Sequence, residues 1–140
     1  MLKSQLIHPD ILQALAAAGH GSQVLITDGN YPASTGSAAS AKKVYLNLSP
    51  GLINAVDALR AVVSAIPIEA AHVMQTADGS APPIFAEFKK LLPDGMELQP
   101  LERFAFYTAS GQPTLCLTIA TGEQRVYANI LLTIGVIRPE

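Results

Sequence analysis

The sequence predicts an α/β protein, a single-domain sheet flanked by helices on both faces. Short apolar runs of strand length alternate with amphipathic stretches of helical period through most of the chain. Pro67, Pro93, Gly19 and Gly111 fall between these stretches, where chain breaks belong. The 140 residues are the size of one ordinary domain, and about half of them are hydrophobic. A chain of this length buries roughly two-thirds of its unfolded surface, so a real core is available. No linker, repeat or low-complexity tail interrupts it, and residues 1–140 are read as a single domain.

Residues 9 to 18 predict a helix, with Ile11, Leu12, Leu15 and Ala18 at helical spacing, Pro9 in its first turn and Gly19 as its stop. QVLIT, Gln23 to Thr27, is too short and too evenly apolar for a helix and reads as a strand. GNYPASTGSAASA, residues 29 to 41, is a long loop of small polar residues, a class that is often functional inside compact domains. KVYLNL, Lys43 to Leu48, is a second strand. Ser49 and Pro50 then predict a helix start as N-cap and first residue, ahead of the stripe Leu52, Ile53, Val56, Leu59, Val62 and Val63. IEAAHVMQT is a third strand and ADGSAPP a turn. Ile84, Phe85, Phe88, Leu91 and Leu92 mark another helix. MELQ reads as a short strand, LERFAFYTAS as a helix between Pro100 and Gly111, and TLCLTIA and ANILLTIGVI hold the last two strands.

Composition excludes several functions. The net charge is −2, and the nine basic residues form no stripe, which argues against a nucleic-acid partner. No apolar stretch approaches the roughly 20 residues of a membrane span, and MLKSQLIHPD lacks the apolar run of a signal peptide. A soluble cytoplasmic protein is expected, with no membrane partner. Cys116 is the only cysteine, so no internal disulfide forms, and its apolar run predicts a buried, unreactive thiol. His8, His20 and His72 lack metal-ligand spacing, and the glycines match neither a dinucleotide nor a P-loop pattern. Neither metal nor cofactor is expected. His8 reads as a helix-start residue and His72, in an apolar strand, as a satisfied structural histidine. The apolar fraction exceeds what one small domain must hide and points to self-association.

The chemistry-bearing candidates cluster in three segments. His20 lies just past the first helix, where unsatisfied carbonyls favour a protonated imidazole that can donate a proton. Asp28 leaves the first strand at its carboxyl end, where α/β sheets gather ligands; it is placed to orient a histidine, accept a hydroxyl proton or open an Asx turn. Tyr127 and Asn129 are two apart at a predicted strand start, which would put a phenol and a carboxamide on one face, with Ala128 leaving the backbone open between them. Such a set suits a small polyhydroxy ligand. On a helical ERFAFY, Arg103 shares a face with Tyr107 and is placed to anchor a ligand oxygen or to pair with an acid.

Four segments in order, MLK with HPDILQALAAAGHG, TDGNYPA, RFAFY and TGEQRVYANILLTIGV, resemble the ribose pyranase and L-fucose mutarotase family over nearly the full length, closer to the fucose branch. The resemblance implies that family's fold and a monosaccharide mutarotase: cofactor-free interconversion of aldose anomers, L-fucose or a related sugar, and of pyranose and furanose forms by the same route. It implies His20 as the catalytic proton donor, Asp28 as a catalytic and ligand-binding carboxylate, and Arg103, Tyr127, Ala128 and Asn129 as substrate-binding residues. It also implies a ring-like homo-oligomer, often a decamer, whose sites lie at subunit interfaces. A non-catalytic sugar-binding protein accompanying monosaccharide transport would use the same residues and remains the alternative.

Overall fold

The computed structural model describes residues Met1–Glu140. Ten elements follow in order: α1 (Pro9–Ala17), β1 (Gln23–Thr27), β2 (Lys42–Tyr45), α2 (Ala55–Val63), β3 (Ile68–Met74), α3 (Pro83–Leu91), β4 (Gln99–Leu101), α4 (Arg103–Ser110), β5 (Leu115–Ala120) and β6 (Ile130–Ile134). The strands form one six-stranded sheet in the order β2-β5-β1-β6-β3-β4. β5 runs parallel to β1 and β2, and β4 runs parallel to β3. β6 alone is antiparallel, wedged between β1 and β3. Five strands therefore end along one rim of the sheet, and β6 begins there.

Helices cover both faces, unequally. Ile11 and Leu15 of α1, Leu59 and Val62 of α2, and Ile84 and Phe88 of α3 pack with Val24, Ile26, Ile130 and Leu132 in one core. On the other face α4 contributes Phe106, and the loop after β1 contributes Tyr31, Ala33, Ala38 and Ala41, over Leu25 and Leu131. The even apolarity of β1 follows: it is central and covered on both sides, so both of its faces need apolar side chains. The 29–41 loop is the lid of the second core, held by the Ala38 N–H donating to Ser110 C=O at 2.8 Å. In β5 a register shift opposite Gln23 and Val24 sends Leu115 to the second core and Leu117 to the first. A bulge of that kind inverts the facing of one end of a strand.

Several boundaries differ from the sequence expectation. Ser49 and Pro50 do not start a helix. They sit in a tight turn closed by a Ser49–Leu52 bridge with Gly51 at φ +84°, and α2 begins at Ala55 with Asn54 as its N-cap. The turn is stabilised from a distance: the Gly51 N–H donates to Gly122 C=O at 2.7 Å, and the Gly122 N–H to Ile53 C=O at 2.8 Å. A Cβ on Gly122 would lie 2.3 Å from the Leu52 carbonyl oxygen, so only glycine admits this backbone pair. Leu52 and Ile53 consequently face outward instead of extending the α2 stripe. β2 stops at Tyr45, and the short strand lies at Gln99–Leu101 rather than at MELQ, with Pro100 tolerated because β4 is an edge. Glu102 takes over the helix start, its carboxylate accepting the N–H of Phe104 and Ala105. His8 caps α1, its Nδ1 accepting the Ile11 N–H at 3.4 Å. His72 is not the satisfied histidine expected, since its Nδ1 is buried with no protein partner. Burial pushes the Cys116 thiol up, away from reactivity.

Candidate functional site

The rim where five strands end carries a cleft of about 270 Å³. That is slightly below the roughly 300 Å³ at which drug-sized pockets begin, and it suits a smaller ligand. Asp28, Tyr31, Met74, Arg103, Tyr107, Tyr127 and Asn129 are among its walls. Each comes from a strand end or from the segment beyond it, as expected for ligands at the carboxyl ends of an α/β sheet.

Asp28 organises the floor. Its residue is 3% exposed. Oδ1 accepts the N–H of Asn30 at 3.0 Å and of Tyr31 at 2.9 Å, an Asx turn that starts the loop. Oδ2 accepts the Ala128 N–H and the Asn129 Nδ2–H, both at 3.3 Å. The Asp28 N–H in turn donates to Asn129 Oδ1 at 2.9 Å. One carboxylate thus ties the end of β1 to the start of β6. Burial pushes its carboxyl above the ordinary value, opposed by the four N–H donors. The two long bonds leave Oδ2 the less satisfied oxygen, and so the one able to accept a further hydroxyl.

Tyr127 and Asn129 do reach the same cleft, but not by strand alternation. β6 begins only at Ile130, and Tyr127 sits in a turn at φ +60°, a left-handed conformation that costs a bulky residue about 1–3 kcal/mol. Nor is the Ala128 backbone open to a ligand, because the residue is fully buried and its N–H is held by Asp28. The expectation failed there because the clamp across β1 and β6 is a contact between segments 100 residues apart.

Across the cleft, Arg103 is the first residue of α4. Its guanidinium carbon lies 5.8 Å from the Phe104 ring centre and 5.9 Å from that of Tyr107, and it makes no ion pair. Tyr107 packs at 5.4 Å on Tyr31, whose hydroxyl burial pushes up to about 12, keeping it a neutral donor to Gly36 C=O. The cleft therefore presents an uncommitted cation, aromatic rings, phenols and a carboxamide. This is the donor-rich, partly apolar surface that a sugar ring, with hydroxyl edges and C–H faces, requires.

His20 is not in this cleft. It precedes β1, and Asp28 follows it; at about 3.3 Å per residue, the five residues of β1 alone hold the two roughly 17 Å apart. Within one subunit Asp28 therefore does not orient the His20 imidazole. The partner is Glu69, with Nε2 to Oε2 at 2.6 Å, both side chains about half exposed. Glu69 sits where β3 slips register against β6 between Ile68 and Ala70, a bulge that re-aims a side chain. The sequence signal for it was slight: one acid inside the apolar run IEAAHVM. Exposed Val136 and Ile137 follow the β6 end beside this dyad, and exposed Phe104 and Val126 flank the cleft at the opposite rim.

A second carboxylate supports the loop before Tyr127. Glu123 is 5% exposed and accepts from Arg125 through Nε at 2.9 Å and Nη2 at 3.0 Å, and from the N–H of Arg125 and Ala55. These bonds, Arg125 first, hold its pKa down at about 2 against an ordinary 4.5. Glu123 thus stays ionised in the fold where the unfolded chain has already taken up a proton. Its stabilisation is complete above about pH 4.5 and is lost as pH falls toward about 2. Urea midpoints measured between about pH 5 and pH 2 should fall less steeply for Glu123→Gln than for wild type; parallel slopes would show that this carboxylate does not drive the acid limb.

A model of the RbsD / FucU transport protein family matches residues 1–137. The fucose mutarotase of Danio rerio is 30% identical, covering 96% of this chain and 92% of its own length. The D-ribose pyranase of Variovorax paradoxus is 30% identical over 97% of this chain and 98% of its own. Among solved structures, FucU from Bifidobacterium longum aligns with a TM-score of 0.81 at 30% identity over 96% of this chain and 100% of that one. The fucose mutarotase of Streptococcus pneumoniae, in complex with L-fucose, aligns at 0.79 with 26% identity over 94% of this chain and 95% of that one. No helix is long and apolar enough to cross a membrane.

Proposed function

The chain belongs to the RbsD / FucU transport protein family, and from that premise we propose that it is a monosaccharide mutarotase acting on L-fucose or a closely related aldose. The observation that carries this reading is the cleft itself, an uncommitted Arg103 with Tyr107, Tyr127 and Asn129 around a small volume. The relatives named for fucose and ribose chemistry support the substrate class.

The reaction is redox-neutral and needs only proton transfers. The C1 hydroxyl loses its proton while the ring oxygen gains one, and the C1–O5 bond breaks to give the open aldehyde. Rotation about C1–C2 and reclosure deliver the other anomer. Uncatalysed mutarotation takes minutes to hours, a barrier of roughly 22 kcal/mol, and a positioned acid or base contributes about 10²–10⁴-fold. Arg103 and Asn129 hold sugar oxygens, Tyr107 and Tyr127 line its faces, and Asp28 Oδ2 accepts a hydroxyl. The proton donor is His20 with Glu69, supplied by a neighbouring copy in a head-to-tail ring. Glu69 on Nε2 leaves Nδ1 as the position that exchanges a proton with substrate. The exposed apolar pairs Val136–Ile137 and Phe104–Val126, at opposite ends of the sheet, support that docking.

Saturation-exchange NMR on L-fucose tests the reading. Wild-type protein at micromolar concentration is expected to raise the rate of exchange between anomeric protons far above the buffer rate. Binding seen by saturation transfer with unchanged exchange would instead favour a sugar-binding protein without catalysis.

A further inference from the structure

Tyr127 faces the cleft in a conformation that its own backbone disfavours, so something must hold it there. Downstream, the Ala128 N–H and the Asn129 carboxamide are fixed by Asp28. Upstream, Arg125 is fixed by Glu123 through a two-pronged side-chain fork and through its own N–H at 3.1 Å. Only Val126 and Tyr127 lie between the two anchors. Glu123 is itself tied down on three sides. Its carboxylate takes the first N–H of α2, its carbonyl accepts the Gly29 N–H at 2.9 Å, and its N–H donates to Thr121 Oγ1 at 3.2 Å. Arg125 Nη1 also reaches Glu87 on α3, an exposed pair on the solvent side.

We infer that Glu123 and Arg125 are positioning residues for the sugar site: their fork fixes the upstream end of the two-residue span and thereby holds Tyr127 over the cleft. The alternative is a purely structural pair that ties the loop to α2 and leaves the cleft indifferent. Geometry favours the first. Two residues between fixed ends have little conformational freedom, and a left-handed tyrosine relaxes once one end is released. The pair is also bidentate, the arrangement that fixes direction as well as distance. The inference rests on the mutarotase reading for its ligand, but the loop geometry can be read without sugar.

The test compares wild type with Glu123→Gln, Arg125→Lys and, as a control, Glu87→Gln. Glu123→Gln removes the charge and turns one acceptor into a donor facing the guanidinium. It should weaken L-fucose binding about tenfold, equivalent to about 1.4 kcal/mol, with KM rising more than kcat falls. Arg125→Lys keeps the charge but not the fork, and serves if Glu123→Gln folds poorly; it should show a smaller change in the same direction. Glu87→Gln should leave affinity within about twofold, because exposed pairs contribute little. Independently of sugar, the Tyr127 ring resonances should shift and the Ala128 amide should exchange faster in Glu123→Gln. A lowered melting temperature with Tyr127 signals, Ala128 exchange and affinity unchanged would overturn the inference. If wild type neither binds nor turns over L-fucose, the function reading fails, while the resonance and exchange data still decide the positioning role.

Discussion

Replacing His20 with alanine is expected to slow L-fucose anomer exchange by about 10²–10⁴-fold, the range for loss of a positioned general acid, while binding measured by saturation transfer changes little. The basis is placement. His20 is exposed and engaged at Nε2 by Glu69, and in the ring it meets the neighbour's sugar through Nδ1 alone, whereas the sugar's other contacts come from Asp28, Arg103, Tyr127 and Asn129, which the substitution leaves in place. Glu69→Gln should lose less, since it alters the group that orients the ring rather than the ring itself. The same placement yields a sharper experiment. If the imidazole acts in the neighbour's cleft, His20→Ala and Arg103→Ala proteins, each inactive, should regain activity when mixed after dissociation and reassociation. Mixed rings contain interfaces that pair an intact cleft with an intact dyad, about a quarter of them if assembly is random. Absence of any recovery, with mixed oligomers shown to form, would place the two groups in one subunit's chemistry or remove His20 from it.

The reason this arrangement was only half legible in the sequence is physical. His20 and Asp28 are eight positions apart, and sequence proximity suggested a shared site. A strand, however, carries its two ends apart, whereas a turn or helix would have kept them together. β1 itself was readable to the residue because a central strand buried on both faces leaves a continuous apolar signature. The Arg103–Tyr107 pairing was readable because helical spacing is local. What failed depended on distant partners. Ser49–Pro50 is a sound local start signal, overruled by the Gly51–Gly122 backbone pair. Tyr127 and Asn129 were correctly grouped for the wrong reason, since a left-handed turn braced by Asp28 and Glu123 does what strand alternation was expected to do. Glu69 carried almost no signal, because a bulge is a property of two strands and not of one.

Asp28→Ala is expected to be the most destabilising substitution at the site, by about 3–5 kcal/mol, the cost of removing one member of a buried charged network. The carboxylate is the common acceptor of four N–H groups, from Asn30, Tyr31, Ala128 and Asn129, and alanine leaves the buried ones without their protein partner. For a chain of this size the melting temperature should fall by roughly 10 °C, read by calorimetry or circular dichroism. Asp28→Asn separates scaffold from site. Its oxygen can still serve Asn30 and Tyr31 and keep the turn, but its amide then meets the Ala128 N–H and the Asn129 amide donor to donor. The stability loss should therefore be smaller than for alanine, while sugar affinity falls as much, because the Oδ2 acceptor is gone and the Tyr127–Asn129 wall loses its downstream anchor. Equal affinity in wild type and Asp28→Asn would mean that Asp28 serves the fold alone, and that the sugar's hydroxyls are taken up by Arg103 and the phenols.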